Sequence, residues 1–254
     1  MDGRLIVDAS CHLPDGLLAR LNIERLHDPA LFEQRLLDAW LYHGDDWLVL
    51  ASPQRINDWQ VAVQCHQSAF AELRLAARLQ RPFRIRFIAS EARSAHLGLI
   101  AAQLAQRLAD GQSIDSFWAQ QRAVEQSIHA VLAVNSESNW LRALPWRQRW
   151  RSMPALLSVE NGRSRRLGSG STPLDAFLHY ADQHIPAGAH INLSYAGNPS
   201  QLQQAPGFQD ACLQRSQAGG LCWLSEMDAE GVRQCGPDAL SIAWLNAPAR
   251  CERP

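Results

Sequence analysis

CGPDALSIAWL, Cys235 to Leu245, reads as a turn feeding a strand: Gly236-Pro237-Asp238 punctuates the chain and apolar residues fill Ala239 to Leu245. Similar short apolar runs, each bounded by turn signals, recur upstream at RLIVD (4–8), DWLVLA (46–51), RIRFI (84–88), AVLAV (130–134), ALLSV (155–159), HINLSY (190–195) and GLCWL (220–224). Sequence of helical period separates most of them. In SAHLGLIAAQLAQRLADG, Leu97, Ile100, Ala101, Leu104 and Leu108 share one face, and Gly111 follows as a stop. GQSIDSFWAQQRAVEQSIHA carries Ile114, Phe117, Val124 and Ile128 as its apolar face. At STPLDAFLHYADQHI, Thr172 suits an N-cap, Pro173 the first helical position, and Asp175 the positive helix end. Strands alternating with helices predict an α/β protein with mainly parallel sheets flanked by helices.

Composition narrows the function classes. With 46% hydrophobic residues in 254, the chain can fill one large or two modest cores. A net charge of −1 gives no global field for nucleic acid or membrane. No apolar run reaches the roughly 18 residues of a membrane span. MDGRLIVDAS lacks a basic stretch leading into a long apolar segment, so a cytoplasmic location is expected. The six cysteines form no CxxC pair and are expected as reduced thiols. The chain contains no lysine, which excludes Schiff-base chemistry, a Walker lysine and a Ser-Lys pair.

A composition shift marks the middle. Asn139 to Arg166 holds seven Arg against one Glu, with three Trp, and Pro145 and Pro154 interrupt any continuous helix. Two α/β lobes, 1–150 and 151–254, are expected, with an approximate boundary and segments free to exchange between them. Arg147, Arg149 and Arg151 are the candidates for contact with a partner; the bland alternative is a solvated connection whose Trp residues pack inward. GSGST (168–172) resembles a phosphate-cradling loop but lacks the P-loop lysine, and reads better as a turn capped by Thr172. Cys65-His66, His179, His184 and His190 fit no metal signature, so no metal and no cofactor is expected. No GxSxG elbow is present.

Taken together, five blocks resemble the DegV family of bacterial fatty-acid-binding proteins, in order along essentially the whole chain. VDASCHLPDGLLARLNI (7–23) is similar to the family opening TDSTxDLPxELxxxxxI. ASPQRINDWQVAVQCHQ (51–67) resembles the SSxLSGTYQSA region, with Ser52, Gln60 and Ala62 in register. FIASEARSAHLGL (87–99) resembles DSxxxSxGLG and retains Ser90, Ser94 and Gly98. LLSVENGRSRRLGSGS (156–171) resembles the PILxVxDG hairpin, and SEMDAEGVRQCGPDALSIAWL (225–245) resembles SEISPVIGAHTGPGALGIAFY. The resemblance implies two α/β lobes enclosing a long-chain fatty acid in an apolar tunnel. It implies a carboxylate held by hydroxyls and a histidine, and in some members presentation to a separate fatty-acid kinase.

Carried over residue by residue, the resemblance places Ser90 and Ser52 at the head group. The family histidine and threonine become Gln234 and Cys235, and the last glycine of GPG becomes Asp238. Gln still donates N–H but carries no charge, and Cys is a poor donor. SSxLSGT becomes SPQRIND, which introduces Arg55 as a replacement cation. Three readings stay open: a retuned site of Ser90, Ser52 and Gln234; an Asp238 that faces the pocket and repels anions; or an Asp238 that is a turn residue facing water. The leading expectation is a non-catalytic carrier of a fatty acid or related acyl lipid, with no cofactor. The alternatives are a scaffold without lipid acting through protein contacts, and a hydrolase or transferase built on Ser90 or Cys235.

Overall fold

A computed structural model describes residues 3–39, 46–76, 84–144, 154–160 and 163–246. Two compact units interleave along the chain. The first is Met1–Cys11, Asp15–Arg93 and Ile100–Val124; the second is His12–Pro14, Ser94–Leu99 and Glu125–Pro254. The division at Val124 precedes the expected boundary near 150, a position that itself lies outside the described residues.

The first unit is a four-stranded sheet in the order β2-β1-β3-β4. Its strands are β1 (Gly3–Asp8), β2 (Ile23–Leu26), β3 (Asp46–Ala51) and β4 (Ile85–Ala89). All three pairings are parallel, as predicted, with Leu5 opposite both Ile23 and Leu48. A central parallel strand must bury both faces, and every residue of β3 is buried. Helices α1 (Asp15–Arg20), α2 (Pro29–Asp38) and α3 (Pro53–Ala76) connect these strands. Asp28 caps α2 by accepting from Ala30 N at 2.9 Å. On one face Ile6, Trp47 and Val49 pack with Phe32, Leu36, Ile56 and Trp59. The Phe32 and Trp59 rings stack at 4.6 Å, and Trp47 meets Phe32 edge-on at 6.1 Å. Helices α4 (Ala95–Ala109) and α5 (Ile114–Ser127) follow β4.

The second unit holds a six-stranded sheet, β7-β6-β5-β10-β8-β9. Its strands are β5 (Ile128–Val134), β6 (Ala155–Glu160), β7 (Arg163–Ser169), β8 (His190–Tyr195), β9 (Cys222–Glu226) and β10 (Leu240–Leu245). Here the mainly parallel expectation applies to one pair, β8 with β9. β6 and β7 form a hairpin, and β10 inserts antiparallel between β5 and β8, with Ile242 opposite Val131 and Leu193. Strand order is a tertiary property that apolar runs do not encode. The remaining helices are α6 (Asn139–Arg142), α7 (Pro173–His184), α8 (Pro199–Gln204), α9 (Pro206–Gln217) and α10 (Ala229–Cys235). One face packs Ile191, Leu193, Ile242 and Trp244 against Phe177 and Ala181; the other packs Leu132, Val134 and Leu157 with Leu141, Leu144 and Met227. As predicted, Thr172 caps α7, accepting from Asp175 N at 3.0 Å.

The aromatic stack gives the first unit a sharp test. Phe32→Ala removes a fully buried ring that Trp47 and Trp59 both touch, and is expected to cost about 3–5 kcal/mol in urea unfolding, without shifting the secondary-structure content of the folded state.

Candidate functional site

In the order β2-β1-β3-β4 the chain leaves β1 and β3 in opposite directions, so the crevice beyond their carboxyl ends is the place where open parallel sheets receive ligands. Asp8 ends β1 there. Its carboxylate, 5% exposed, accepts from Ser10 N at 3.0 Å, Ser10 Oγ at 2.6 Å and Ser52 N at 2.9 Å. A buried carboxylate needs such donors, and these three tie the loop after β1 to the end of β3. Ser52 in turn opens α3: its carbonyl accepts from Ile56 N at 2.9 Å. Ser90, 2% exposed, follows β4; its amide donates to Ala51 O at 3.0 Å and its Oγ accepts from Ala92 N at 3.2 Å. Parallel pairing of Ala51 with Ala89 therefore sets Ser52 and Ser90 at neighbouring strand ends.

Both hydroxyls keep donor capacity. Ser90 Oγ is used as an acceptor, and among the described residues Ser52 Oγ has no hydrogen-bond partner. Arg55 sits in the first turn of α3, which carries no acidic residue. A cation there opposes the helix dipole, and among the described residues it has no ion-pair partner to offset this. The structure thus gathers three of the five sequence candidates, Ser52, Arg55 and Ser90, within the first unit.

Gln234 and Cys235 close α10 in the second unit. Gln234 Nε2 donates to Glu230 Oε1 at 2.6 Å, one turn back. Hydrogen bonds from Arg233 and then Gln234 hold the Glu230 carboxyl below its usual value. Cys235 is buried, and desolvation pushes its thiol up to about 12, with the negative charge of Asp228 adding to the shift. A thiol kept protonated is a poor nucleophile, which removes the physical basis for chemistry at Cys235.

The Gly236-Pro237-Asp238 turn is sewn to the segment after β5. Asn135 Nδ2 donates to Pro237 O at 2.7 Å, and Asn139 Nδ2 to Arg233 O at 3.4 Å. Gly236 takes φ +83°, and a Cβ there would stand 3.1 Å from Asn135 Oδ1. Asp238 also has positive φ, +56°, a conformation that favours Gly, Asn or Asp. Of the two readings of the Asp238 side chain, the turn residue is the one observed: Asp238 is exposed and accepts from Tyr195 OH at 2.8 Å. Burial, followed by this Asp238 bond, pushes the Tyr195 phenol up to about 12.

A buried polar set in the second unit has no counterpart among the sequence candidates. His12 Nδ1 lies 2.7 Å from Ser194 Oγ, and its Nε2 lies 3.3 Å from both the amide nitrogen and Oδ1 of Asp228. Ser194 is fully buried, so the set ties distant segments together and presents no accessible nucleophile. Asn192 Nδ2 donates to His12 O at 2.8 Å and to Ala95 O at 2.9 Å. Gly98 permits this approach, since a Cβ there would fall 2.3 Å from His12 O and 2.6 Å from Asn192 Nδ2. The partners lie 182 and 216 residues from His12, beyond any local motif.

Arg147, Arg149 and Arg151 lie outside the described residues. In GSGST, Ser171 Oγ donates to the Asp175 carboxylate, so the loop faces a negative charge and is ill suited to phosphate. Among the described residues no three His, Cys, Asp or Glu side chains stand together as a metal site, and no helix is long and apolar enough to cross a membrane.

No family model and no curated protein matches the chain. Solved structures do. A DegV family protein from Corynebacterium glutamicum matches with a TM-score of 0.65 at 15% identity, over 98% of each chain. A fat acid (stearic acid)-binding protein from Eubacterium ventriosum gives 0.69 at 11% identity, over 96% of this chain and 98% of its own. A Thermotoga maritima protein described as revealing a fatty acid binding function gives 0.67 at 13% identity, over 97% and 100%. The chain has the fold these proteins share.

Two measurements probe this geometry. Asp8→Asn replaces one acceptor oxygen by an NH2 that must face either the Ser52 amide or the two Ser10 donors, and is expected to destabilise the protein by about 2–3 kcal/mol in denaturant titration, more than Asp15→Asn at an exposed site. His96 has an Nε2 without a partner among the described residues, and burial, with His129 adding, lowers its pKa from 6.5 to about 4. The unfolded chain then binds the proton first as pH falls. Stability is fully present above pH 6.5, declines below it, and by pH 4 has lost roughly 3 kcal/mol from this group. His96→Leu should flatten that part of the pH–stability curve relative to wild type.

Proposed function

We propose that this chain is a divergent member of the DegV family and a non-catalytic carrier of a long-chain fatty acid or related acyl lipid in an apolar tunnel, working in the cytoplasm. The observation that carries the proposal is the strand-end group of the first unit, Ser52, Ser90 and Arg55, on a fold shared with proteins described as fatty-acid-binding. Two hydroxyls with donors to give and an uncompensated guanidinium suit a carboxylate head group, which must be hydrogen-bonded once it leaves water. Arg55 supplies in this reading the charge that the family histidine would bring. Gln234 has one amide N–H engaged by Glu230 and Cys235 is held as a neutral thiol, so the head group rests on the first unit. Each methylene withdrawn from water adds about 0.8 kcal/mol, so affinity comes from the acyl chain and selectivity from the head-group donors. Delivery of the bound acid to a fatty-acid kinase belongs to the same proposal.

Protein purified from cells is expected to release acyl lipid on denaturation, read by mass spectrometry, and the stripped protein to take up added palmitate or stearate. Ser52→Ala, Ser90→Ala and Arg55→Gln should each weaken fatty-acid binding by about tenfold, while Gln234→Ala leaves it within about twofold. Absence of lipid together with no uptake would overturn the carrier reading; equal binding of a fatty acid and its methyl ester would overturn the assigned head-group residues.

A further inference from the structure

Cys212 on α9 and Cys222 at the start of β9 have Sγ atoms 3.2 Å apart, closer than two unbonded sulfurs in van der Waals contact. Both are free thiols. Arg215, one helical turn after Cys212, is buried and turns its guanidinium to the Pro186 carbonyl at 3.1 Å. The three residues line a small cavity together with Phe177, Ile191 and Phe208. Apolar packing alone does not require a buried guanidinium beside two thiols, and the arrangement is the one that favours a thiolate: a nearby cation and a second S–H as donor.

We propose that Cys212 and Cys222 form a peroxide-reactive dithiol that closes to an intrachain disulfide, with Cys212 as the attacking sulfur and Cys222 as the resolving one. The asymmetry is set by surroundings. The hydrogen bond with Cys222, with Arg215 adding, lowers the Cys212 thiol, whereas the same contact and burial raise that of Cys222. In the first step Cys212 thiolate attacks one oxygen of a hydroperoxide. The O–O bond breaks, leaving a sulfenic acid on Cys212 and releasing hydroxide, or from an organic peroxide an alkoxide that water protonates to the alcohol. Cys222 then attacks the Cys212 sulfur; the S–O bond breaks, the S–S bond forms, and the Cys222 proton leaves with the departing hydroxide as water. The two thiols lose two electrons in all, and the peroxide gains them. The sulfurs need to close from 3.2 Å to about 2.05 Å, a change within reach of side-chain rotation. The product ties α9 to the edge strand β9 and closes a short loop in the unfolded chain.

The test is titration of the reduced protein with hydrogen peroxide near one equivalent, followed by alkylation under denaturing conditions and peptide mapping. A Cys212–Cys222 cross-link is expected, reversed by dithiothreitol, forming about tenfold faster than oxidation of the exposed Cys65. The oxidised protein should melt roughly 5 °C or more above the reduced one. Cys222→Ser is expected to stop at a sulfenic acid on residue 212, trapped by dimedone, and Cys212→Ser to leave Cys222 reduced. Oxidation that falls first on Cys65 while both thiols stay alkylatable would overturn the proposal. So would accumulation of sulfinic acid on Cys212 in the wild type without cross-linking, or trapping of a sulfenic acid on Cys222.

Discussion

A buried carboxylate at the end of β1 has to be met by donors, and Asp8 obtains all three from loops that follow parallel strands: two from Ser10 and one from the amide of Ser52. That requirement fixes the β1 loop against the start of α3. Ser90 N then donates to Ala51 O, so the end of β4 is referenced to the same point. The hydroxyls of Ser52 and Ser90 are thereby set on backbone whose own hydrogen bonds are already made. Arg55, a turn into α3, inherits its position from Ser52. The carboxylate that orders the loops takes its bonds from Ser10 and from the Ser52 amide, which leaves the Ser52 hydroxyl uncommitted among the described residues.

In the second unit the equivalent constraint is close backbone approach. Gly98 lets Asn192 reach the carbonyls of both His12 and Ala95, and His12 then bridges Ser194 and Asp228. These hydrogen bonds join separated segments in the interior, where losing a partner costs about 1–3 kcal/mol; Asn192 Oδ1 itself has none among the described residues. The GPD turn obeys the same logic. Asp238 occupies a left-handed position that Asp tolerates, and its carboxylate is held by Tyr195 OH.

Much of the fold was legible from residue pattern. The apolar runs of β1, β3, β8 and β10 and the periodic faces of α4 and α5 fall where expected, because burial on one face or two leaves a period in the sequence, and α7 starts at its expected cap. β2 left no such trace, since IERL is four residues long with two charges, and its strand character comes from pairing with β1. β7 alternates, but with arginines on an edge strand, so its period is not hydrophobic. Of the candidate site, Ser52 and Ser90 were legible only by resemblance, being ordinary strand-end serines on their own. The proximity of Cys212 and Cys222 was not legible, because ten residues of separation do not say whether a helix and a strand face each other.

The sequence by itself determined the α/β class and the absence of lysine chemistry, since these depend on residue identity and local period. Only the tertiary structure decided that the second sheet is mixed, that Asp238 is a solvent-facing turn residue, that Cys235 is a buried neutral thiol, and that His12 meets Ser194 and Asp228. Each of those depends on which distant segments pack together. Long-range packing fixes desolvation and hydrogen-bond partners, and these set whether a side chain is a donor, a nucleophile or a structural tie.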